Sequence, residues 1–200
     1  MDLIKIDQNL FLLINSLAGK SSLFDSVAKF TVNEYFIPTT LSLALFSLWF
    51  NWGGVDKDLK QKGVLLGVFG VVIGSMGIVS TINALIQRPR PFEILETNLL
   101  FYKPTDPSFP SNAAVVAFAL VAAIFLVDRK LGAAALILAA FYGFLRIFVG
   151  VHYPSDVIGG AVIGIGSVLI VNLFIFNSLL MIIIRFLRNL LKTIYLEEFS

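Results

Sequence analysis

The eleven residues from Arg146 to Asp156 carry the clearest chemistry in this chain. They hold an arginine, the only histidine of the protein (His152) and an aspartate, between two long apolar runs. Ionisable groups at the edge of a membrane are costly and tend to mark function. Asp156 can orient the imidazole, and Arg146 can hold an anion beside it. The pattern favours phosphoryl transfer through a histidine, with His152, Asp156 and Arg146 as catalytic candidates.

A second set of anion-binding candidates lies in segment 87–112. Arg88 and Arg90 alternate there with Pro89 and Pro91, and proline stiffens the backbone around each arginine. Arginine presents planar, paired donors to phosphate oxygens. We therefore predict that Arg88 and Arg90 bind a substrate phosphate. Anchoring to lipid headgroups is the alternative.

The same segment ends where a new apolar run begins. Ser111 is a natural helix N-cap, and Asn112 is the next best candidate. A helix N-terminus offers free N–H groups and a partial positive charge to an anion. Ser111 and Asn112 are therefore further candidates for phosphate binding. A capping serine without any other role would explain the same residues.

The composition excludes several other kinds of site. The chain has no cysteine, which rules out disulfides, thiol catalysis and thiolate metal sites, and its single histidine argues against a histidine-based zinc site. The sequence has no glycine-rich phosphate loop, no cluster of metal-binding carboxylates and no basic block interleaved with aromatic residues. We expect no metal, no cofactor and no nucleic-acid partner.

The elements that position these residues are predicted to be membrane helices. The chain is 58% hydrophobic and 14% charged, whereas a soluble domain is nearer 45–50% and about 25%. A membrane span needs about 20 apolar residues. We predict one all-α integral membrane domain, residues 1–200, with a helical bundle over 35–184. Its five spans are 35–52, 63–86, 113–127 (begun about one turn earlier), 131–149 and 157–184.

The N-terminal segment, residues 1–33, has a different pattern. Apolar residues recur at helical spacing among polar ones, and segment 19–22 interrupts the run. We predict two short amphipathic helices that lie at the membrane interface, with a sixth span as the alternative. The first residues lack a basic stretch before a compact apolar core, so we expect no cleavable signal peptide.

Basic residues predict the orientation in the membrane. In the five-span arrangement three basic groups share one side, which the positive-inside rule assigns to the cytoplasm together with the tail 185–200. Segments 87–112 and 150–156 then meet on the external face of the cell membrane. The three groups are Lys57, Lys60 and Lys62; Arg129 and Lys130; and Arg185, Arg188 and Lys192.

Small residues on the last span predict close helix packing. Gly160 and Gly164 are one helical turn apart and form a small-residue face. We expect this face to pack inside the monomer. Dimerisation through it is the alternative, and the sequence leaves the oligomeric state open.

Taken together, the polar segments resemble the type 2 phosphatidic acid phosphatase superfamily, which consists of integral membrane lipid phosphatases. The family pattern is a lysine followed by Arg-Pro, then Pro-Ser-Gly-His, then Ser-Arg with a later His and Asp. Here Arg90 with Pro91 is similar to the first motif, segment 110–111 to the second, and segment 146–156 to the third. The resemblance covers residues 83–160. Within the family the chain looks most like the bacterial undecaprenyl-diphosphatase branch, associated with cell wall biogenesis and bacitracin resistance.

The resemblance implies a role for each matching residue. In that family the third-motif histidine forms a phosphohistidine and the aspartate orients it. Carried over, His152 is the expected nucleophile and Asp156 its partner. The resemblance also implies that Arg90 and Arg146 clamp the phosphate, and that segment 111–112 forms the anion cradle.

The chain departs from the family pattern at four positions. Ala113 stands where the family has the histidine that protonates the leaving group. Asn83 stands in place of the lysine, Asn112 in place of the glycine, and Leu145 in place of the serine. Nearby Asp106 and Lys103 are candidate stand-ins for the lost proton donor and the lost cation. An inactive relative that binds lipid phosphate is therefore one alternative function.

The departures also bear on the substrate. General acid catalysis is typically worth about 10²–10⁴-fold, and it matters most for a basic leaving group such as a lipid alkoxide. A diphosphate expels a phosphate monoester, which is a much weaker base. We therefore expect the hydrolysis of undecaprenyl diphosphate to the monophosphate, without a metal. Phosphatidylglycerophosphate or phosphatidic acid is the alternative substrate.

Overall fold

The computed structural model describes residues 3–50, 57–174, 182–187 and 189. Its helices are α1 (Leu3–Asn15), α2 (Ser22–Thr31), α3 (Phe36–Ser47), α4 (Lys57–Val71), α5 (Ser80–Leu85), α6 (Pro91–Ile94), α7 (Asn112–Val127), α8 (Arg129–Phe148) and α9 (Pro154–Phe174). A 3₁₀ turn, Leu48–Phe50, extends α3, and a π-helical segment, Val72–Val79, joins α4 to α5. The described residues contain no strand, so the predicted all-α class is confirmed.

Three helices are long and apolar enough to cross a membrane. They are Lys57–Leu85, Arg129–Phe148 and Pro154–Leu173, with 29, 20 and 20 residues. Helices Phe36–Phe50 and Asn112–Val127 are apolar but shorter. Each predicted span therefore corresponds to an apolar helix, but the count of five spans is not confirmed. Residues 175–181 of the fifth predicted span, and most of the tail 185–200, lie outside the described residues.

The short helix α7 forms the centre of the bundle. It packs against α3, α4, α8 and α9, and most of its residues are buried. The predicted extension by a turn before Ala113 is wrong, because α7 begins at Asn112. Ser111 is the N-cap, and its extended backbone (ψ 106°) ends the helical geometry there. Because other helices surround α7, most of its residues contact protein instead of lipid.

The small-residue face of α9 packs on α7. A side chain at Gly160 would meet the Ser111 carbonyl, and one at Gly164 would meet the Val115 carbonyl. The two helix backbones therefore approach closely, as small residues allow in membrane bundles. The expected packing inside the monomer is confirmed.

The N-terminal segment forms two helices of 13 and 10 residues, α1 and α2. Gly19, in the left-handed region at φ 84°, lies between them, and the Ser21 side chain caps α2. Neither helix is long enough by itself to cross a bilayer, so the structure gives no support to a sixth span in this segment. Their position at the membrane interface stays a prediction.

The first lysine group belongs to a helix and not to a loop. Lys57 and Lys60 lie in the first turns of α4, and Lys60 is buried. These turns pack on the end of α7, because Gly63 lies directly against Val127. The lysines therefore lie near Arg129, at the opposite end of the bundle from segments 87–112 and 150–156. Of the third basic group, positions 188 and 192 lie outside the described residues.

Candidate active site

A cavity of about 250 Å³ lies where α7 begins and α8 ends. It is bounded by the α2–α3 connection, the segment after α5, and the loop between α8 and α9. It brings together four residues of the predicted site (Arg90, Asn112, Arg146 and His152), and Ala113 also lines it. Its other lining residues are Glu34, Pro38, Pro104, Asp106, Val116 and Tyr142.

A tight turn carries the chain from α8 to His152. Gly150 has φ 92°, a conformation that favours glycine and commonly ends helices. The buried side chain of Asn15 fastens this turn from α1 by donating to the carbonyl oxygens of Phe148 (2.8 Å) and Asn98 (3.0 Å). A side chain at position 150 would meet that Asn15 amide. The turn leaves His152 2% exposed.

The hydrogen bonds of His152 define its tautomer. Its Nδ1 lies 3.0 Å from the carbonyl oxygen of Ser108, which can only accept, so Nδ1 carries the proton. Its Nε2 lies 3.3 Å from Nη1 of Arg90 and 3.4 Å from Nη2 of Arg146. Because guanidinium groups only donate, the Nε2 lone pair points between two cations, where an anion would bind.

The surroundings of His152 favour the neutral imidazole. Burial is the largest effect, and the pKa of His152 falls to about 4. The carboxylate of Asp156 acts in the opposite direction, while the charges of Arg146 and Arg90 lower the pKa further. At neutral pH the ring is therefore uncharged, with a free lone pair on Nε2.

Asp156, the expected partner of His152, makes no direct hydrogen bond to the ring. Its Oδ2 lies 3.7 Å from Nδ1 and instead accepts from the hydroxyl of Ser108 (2.5 Å) and the backbone N–H of Tyr153 (2.8 Å). Its Oδ1 accepts from Nη1 of Arg88 at 2.6 Å. The Ser108 carbonyl is closer to the ring. Ser108 therefore connects Asp156 to the ring of His152, and the orienting role of Asp156 stays a prediction.

Arg90 and Arg146 are both buried, at 2% and 4% exposure. Arg90 donates to the backbone oxygen (2.8 Å) and Oδ1 (2.9 Å) of Asp106, and to the carbonyl of Val151 (2.9 Å). The hydrogen bonds that Arg146 donates to the carbonyl of Val32 and to Nε2 of His152 are long, 3.4 Å each, and its Nε has no partner among the described residues. Arg146 therefore keeps more donor capacity for a ligand than Arg90 does.

Arg88 lies outside this cavity, and both of its Nη groups already have partners. Nη1 donates to Asp156 (2.6 Å) and to the hydroxyl of Ser155 (2.7 Å), and Nη2 forms an ion pair with Asp7 at 2.6 Å. The guanidinium also stacks 4.2 Å over the ring of Tyr153. The expected phosphate contact of Arg88 is therefore corrected. Arg88 neutralises and holds Asp156.

The N-terminus of α7 faces the cavity. Asn112 and Ala113 line it, and the backbone N–H groups of the first turn have no partner within the helix. The Ser111 amide is already bound to the Asp156 carbonyl at 3.0 Å, and the Ser111 hydroxyl is buried without a partner. An anion cradle made of amides therefore starts at Asn112 and not at Ser111.

Asp106 and Lys103, the candidate replacements for the lost proton donor and the lost cation, lie in different places. Asp106 lines the cavity but is paired with Arg90. Lys103 does not line it, and its ammonium lies 5.9 Å from the ring centre of Phe92. The described residues contain no group of three histidines or carboxylates that could hold a metal ion.

Sequence reasoning missed several residues of this site. Ser108 carries both the carbonyl that binds His152 and the hydroxyl that binds Asp156, although a serine in a loop gives no signal of either contact. Asp7 reaches the site from α1, 81 positions before Arg88. Glu34 and Tyr142 line the cavity from outside the three motifs. Spacing along the chain cannot reveal such long-range contacts.

The chain matches the model of the PAP2 superfamily over residues 64–180. It is 31% identical over 160 residues to "Undecaprenyl-diphosphatase BcrC" of Bacillus subtilis, covering 80% of this chain and 79% of that protein. It is also 31% identical over 159 residues to "Undecaprenyl-diphosphatase" of Sulfolobus acidocaldarius, covering 78% and 71% of the two chains.

Two solved structures share the fold. LpxE from Aquifex aeolicus is 27% identical, with a TM-score of 0.64 over 81% of this chain and 92% of that one. A PAP2-type phosphatidylglycerolphosphate phosphatase from Bacillus subtilis has a TM-score of 0.62 at 16% identity, over 86% and 85% of the two chains. Because the family model covers more than half of its length, this chain belongs to the PAP2 superfamily.

Proposed function

We propose that this chain is a membrane lipid phosphatase that hydrolyses undecaprenyl diphosphate to undecaprenyl phosphate through a phosphohistidine. Membership of the PAP2 superfamily and the relatives named as undecaprenyl-diphosphatases support the reaction class. The observation that carries the mechanism is the orientation of His152, whose Nε2 faces two buried arginines.

Binding of the terminal phosphoryl group is the first step. Its oxygens lie between the guanidiniums of Arg90 and Arg146 and accept from the amides at the start of α7. These donors are fixed before the substrate arrives, and burial makes their attraction to an anion stronger than it would be in water. The two guanidiniums supply the positive charge that a metal ion supplies in other phosphatases, so the proposed route is metal-independent.

Nucleophilic attack by His152 is the second step. The Nε2 lone pair forms a bond to phosphorus while the bond from phosphorus to the bridging oxygen breaks, and undecaprenyl phosphate departs. The ring gains positive charge as the bond forms. The Ser108 carbonyl on Nδ1–H and the nearby carboxylate of Asp156 stabilise that charge.

Hydrolysis of the phosphohistidine completes the cycle. Water attacks phosphorus, the bond to Nε2 breaks, and inorganic phosphate leaves with the neutral ring restored. Ala113 lines the cavity but has no proton to give to a leaving oxygen. Because a phosphate monoester leaves as a weak base, this site suits a diphosphate better than a monophosphate.

The mechanism is tested by phosphate release from undecaprenyl diphosphate in detergent. We expect His152→Ala to lower the rate by at least about 10³-fold, because the nucleophile is lost. Equal rates for the variant and the unchanged chain would rule out the phosphohistidine.

The choice of substrate is tested by a panel. Undecaprenyl diphosphate, phosphatidylglycerophosphate and phosphatidic acid are compared at matched mole fraction in the same micelles. We expect the diphosphate to react about 10²-fold faster or more, since only the monophosphates expel an alkoxide. A faster monophosphate would identify the alternative substrate class.

The Ala113 position also supports a second candidate function, a lipid-phosphate-binding protein without turnover. The variant Ala113→His separates the two. If the unchanged chain is inactive, still binds the lipid, and gains no activity from the histidine, the non-catalytic function is the correct one. If the unchanged chain hydrolyses the lipid, or if Ala113→His raises the rate of hydrolysis by about 10²-fold or more, the chain is an enzyme.

A further inference from the structure

Tyr142 is a buried tyrosine of α8 that no motif includes. Its side chain is fully buried, and it lines the same cavity as His152 and Arg146. Its hydroxyl has no hydrogen-bond partner among the described residues. Burying an unpaired hydroxyl is unfavourable, so buried tyrosines usually find a partner.

Tyr142 lies next to Arg146 on the wall of the cavity. Arg146 follows four residues later in α8, and residues at that spacing share a helix face. On the wall formed by α7, Ala113 and Val116 carry no polar group. Tyr142 therefore adds a hydroxyl donor beside the guanidinium of Arg146 and the carboxylate of Glu34, which line the same cavity.

One other unpaired donor lies on this cavity, and a second lies at the N-cap of α7. The Nε of Arg146 and the hydroxyl of Ser111 are also buried without partners. The Tyr142 hydroxyl and the guanidiniums of Arg90 and Arg146 line one cavity, and a negatively charged ligand rich in acceptors would satisfy them. Phosphate oxygens meet both requirements.

We propose that Tyr142 is a substrate-binding residue whose hydroxyl donates a hydrogen bond to an oxygen of the bound lipid phosphate. The inference rests on the proposed function, because it takes the cavity to be the phosphate site. A phenol holds its proton at neutral pH, so the hydroxyl is a permanent donor and transfers no proton in this role.

The test uses Tyr142→Phe, which removes only the hydroxyl, and inorganic phosphate as the probe. The full chain in detergent is titrated with phosphate, and the dissociation constant is read from the rise in unfolding temperature. Inhibition of lipid hydrolysis by phosphate gives a second reading. We expect phosphate to bind about 10-fold more weakly to the variant, as for the loss of a hydrogen bond to a charged group.

The unfolding temperature without phosphate should be unchanged or higher, because the variant no longer buries an unpaired hydroxyl. The control is Tyr35→Phe, an exposed tyrosine that does not line the cavity. It should bind phosphate like the unchanged chain.

Equal phosphate affinity in Tyr142→Phe and the unchanged chain would overturn the role of Tyr142 alone. A lower unfolding temperature with unchanged affinity would also overturn it, since the hydroxyl would then be structural. A chain that neither binds phosphate nor hydrolyses the lipid would overturn both this inference and the proposed function.

Discussion

The protonation of His152 can be tested directly. It is the only histidine in the chain, so its ring carbon and nitrogen signals are unambiguous in an NMR titration. Burial lowers its pKa to about 4, compared with about 6.5 for an exposed histidine. We expect the ring to stay neutral, with the proton on Nδ1, from neutral pH down to about pH 4. A midpoint near 6.5 would mean that water reaches the ring.

The same shift links His152 to folding stability. Between about pH 6.5 and pH 4 the unfolded chain binds a proton on this ring and the folded chain does not. Stability therefore falls as the pH is lowered through that window. The reactive neutral ring survives in the folded protein over the same range, so the proposed nucleophile is not the group that ends activity at mildly acidic pH.

Among the elements, α1 contributes to the site although it lies outside the matched family region. Asp7 accepts from Arg88 and from both the amide (2.9 Å) and the hydroxyl (2.5 Å) of Ser155. We expect Asp7→Asn to lower kcat about 10-fold with little change in KM, because Arg88 then holds Asp156 less firmly. Rates of lipid hydrolysis measure this.

The matched control is Asp25→Asn on α2. Asp25 is partly exposed, and its side chain accepts a hydrogen bond from the nearby Gly19 amide at 3.2 Å. Its replacement should leave kcat unchanged. A normal kcat in Asp7→Asn would show that α1 has no part in positioning Asp156.

Helix α9 yields a prediction about packing. A methyl group at Gly164 would collide with backbone atoms of Val115 and Ala119, whereas one at Gly166 would meet nothing. Overpacking costs about 1–3 kcal/mol, so Gly164→Ala should unfold at a lower temperature in detergent. Gly166→Ala, on the same helix, should be neutral or more stable because alanine favours helices. Equal unfolding temperatures would mean that α7 and α9 are not in backbone contact.

At the scale of the whole molecule, sequence reasoning succeeded where periodicity and spacing carry the information. Apolar runs gave the all-α class and the helices of the bundle, and Ser111 marked the start of α7. It failed where the outcome depends on packing. Lys57, Lys60 and Lys62 were expected between two spans. They belong to α4, because that helix begins at Lys57 and packs along the end of α7. The partner of His152 turned out to be a backbone carbonyl of Ser108, and carbonyls carry no sequence signal.

The orientation of the whole molecule in the membrane can be predicted from the helix ends that lie at each end of the bundle. The candidate site gathers the start of α7 and the end of α8, while Arg129 and Lys130 lie at the junction of α7 and α8, at the other end of the bundle. Positively charged ends stay in the cytoplasm. We therefore predict that the site opens on the external face, where a lipid diphosphate released outside the membrane could reach it.

The absence of cysteine makes this orientation directly measurable. Single cysteines at two exposed positions, Glu96→Cys beside the site and Lys130→Cys at the opposite end, can each be treated in intact cells with a maleimide that does not cross the membrane. The cysteine at 96 should be labelled, and the one at 130 only after the membrane is opened. The reverse pattern would put the cavity in the cytoplasm, and hydrolysis of lipid diphosphate on the external face would then be impossible.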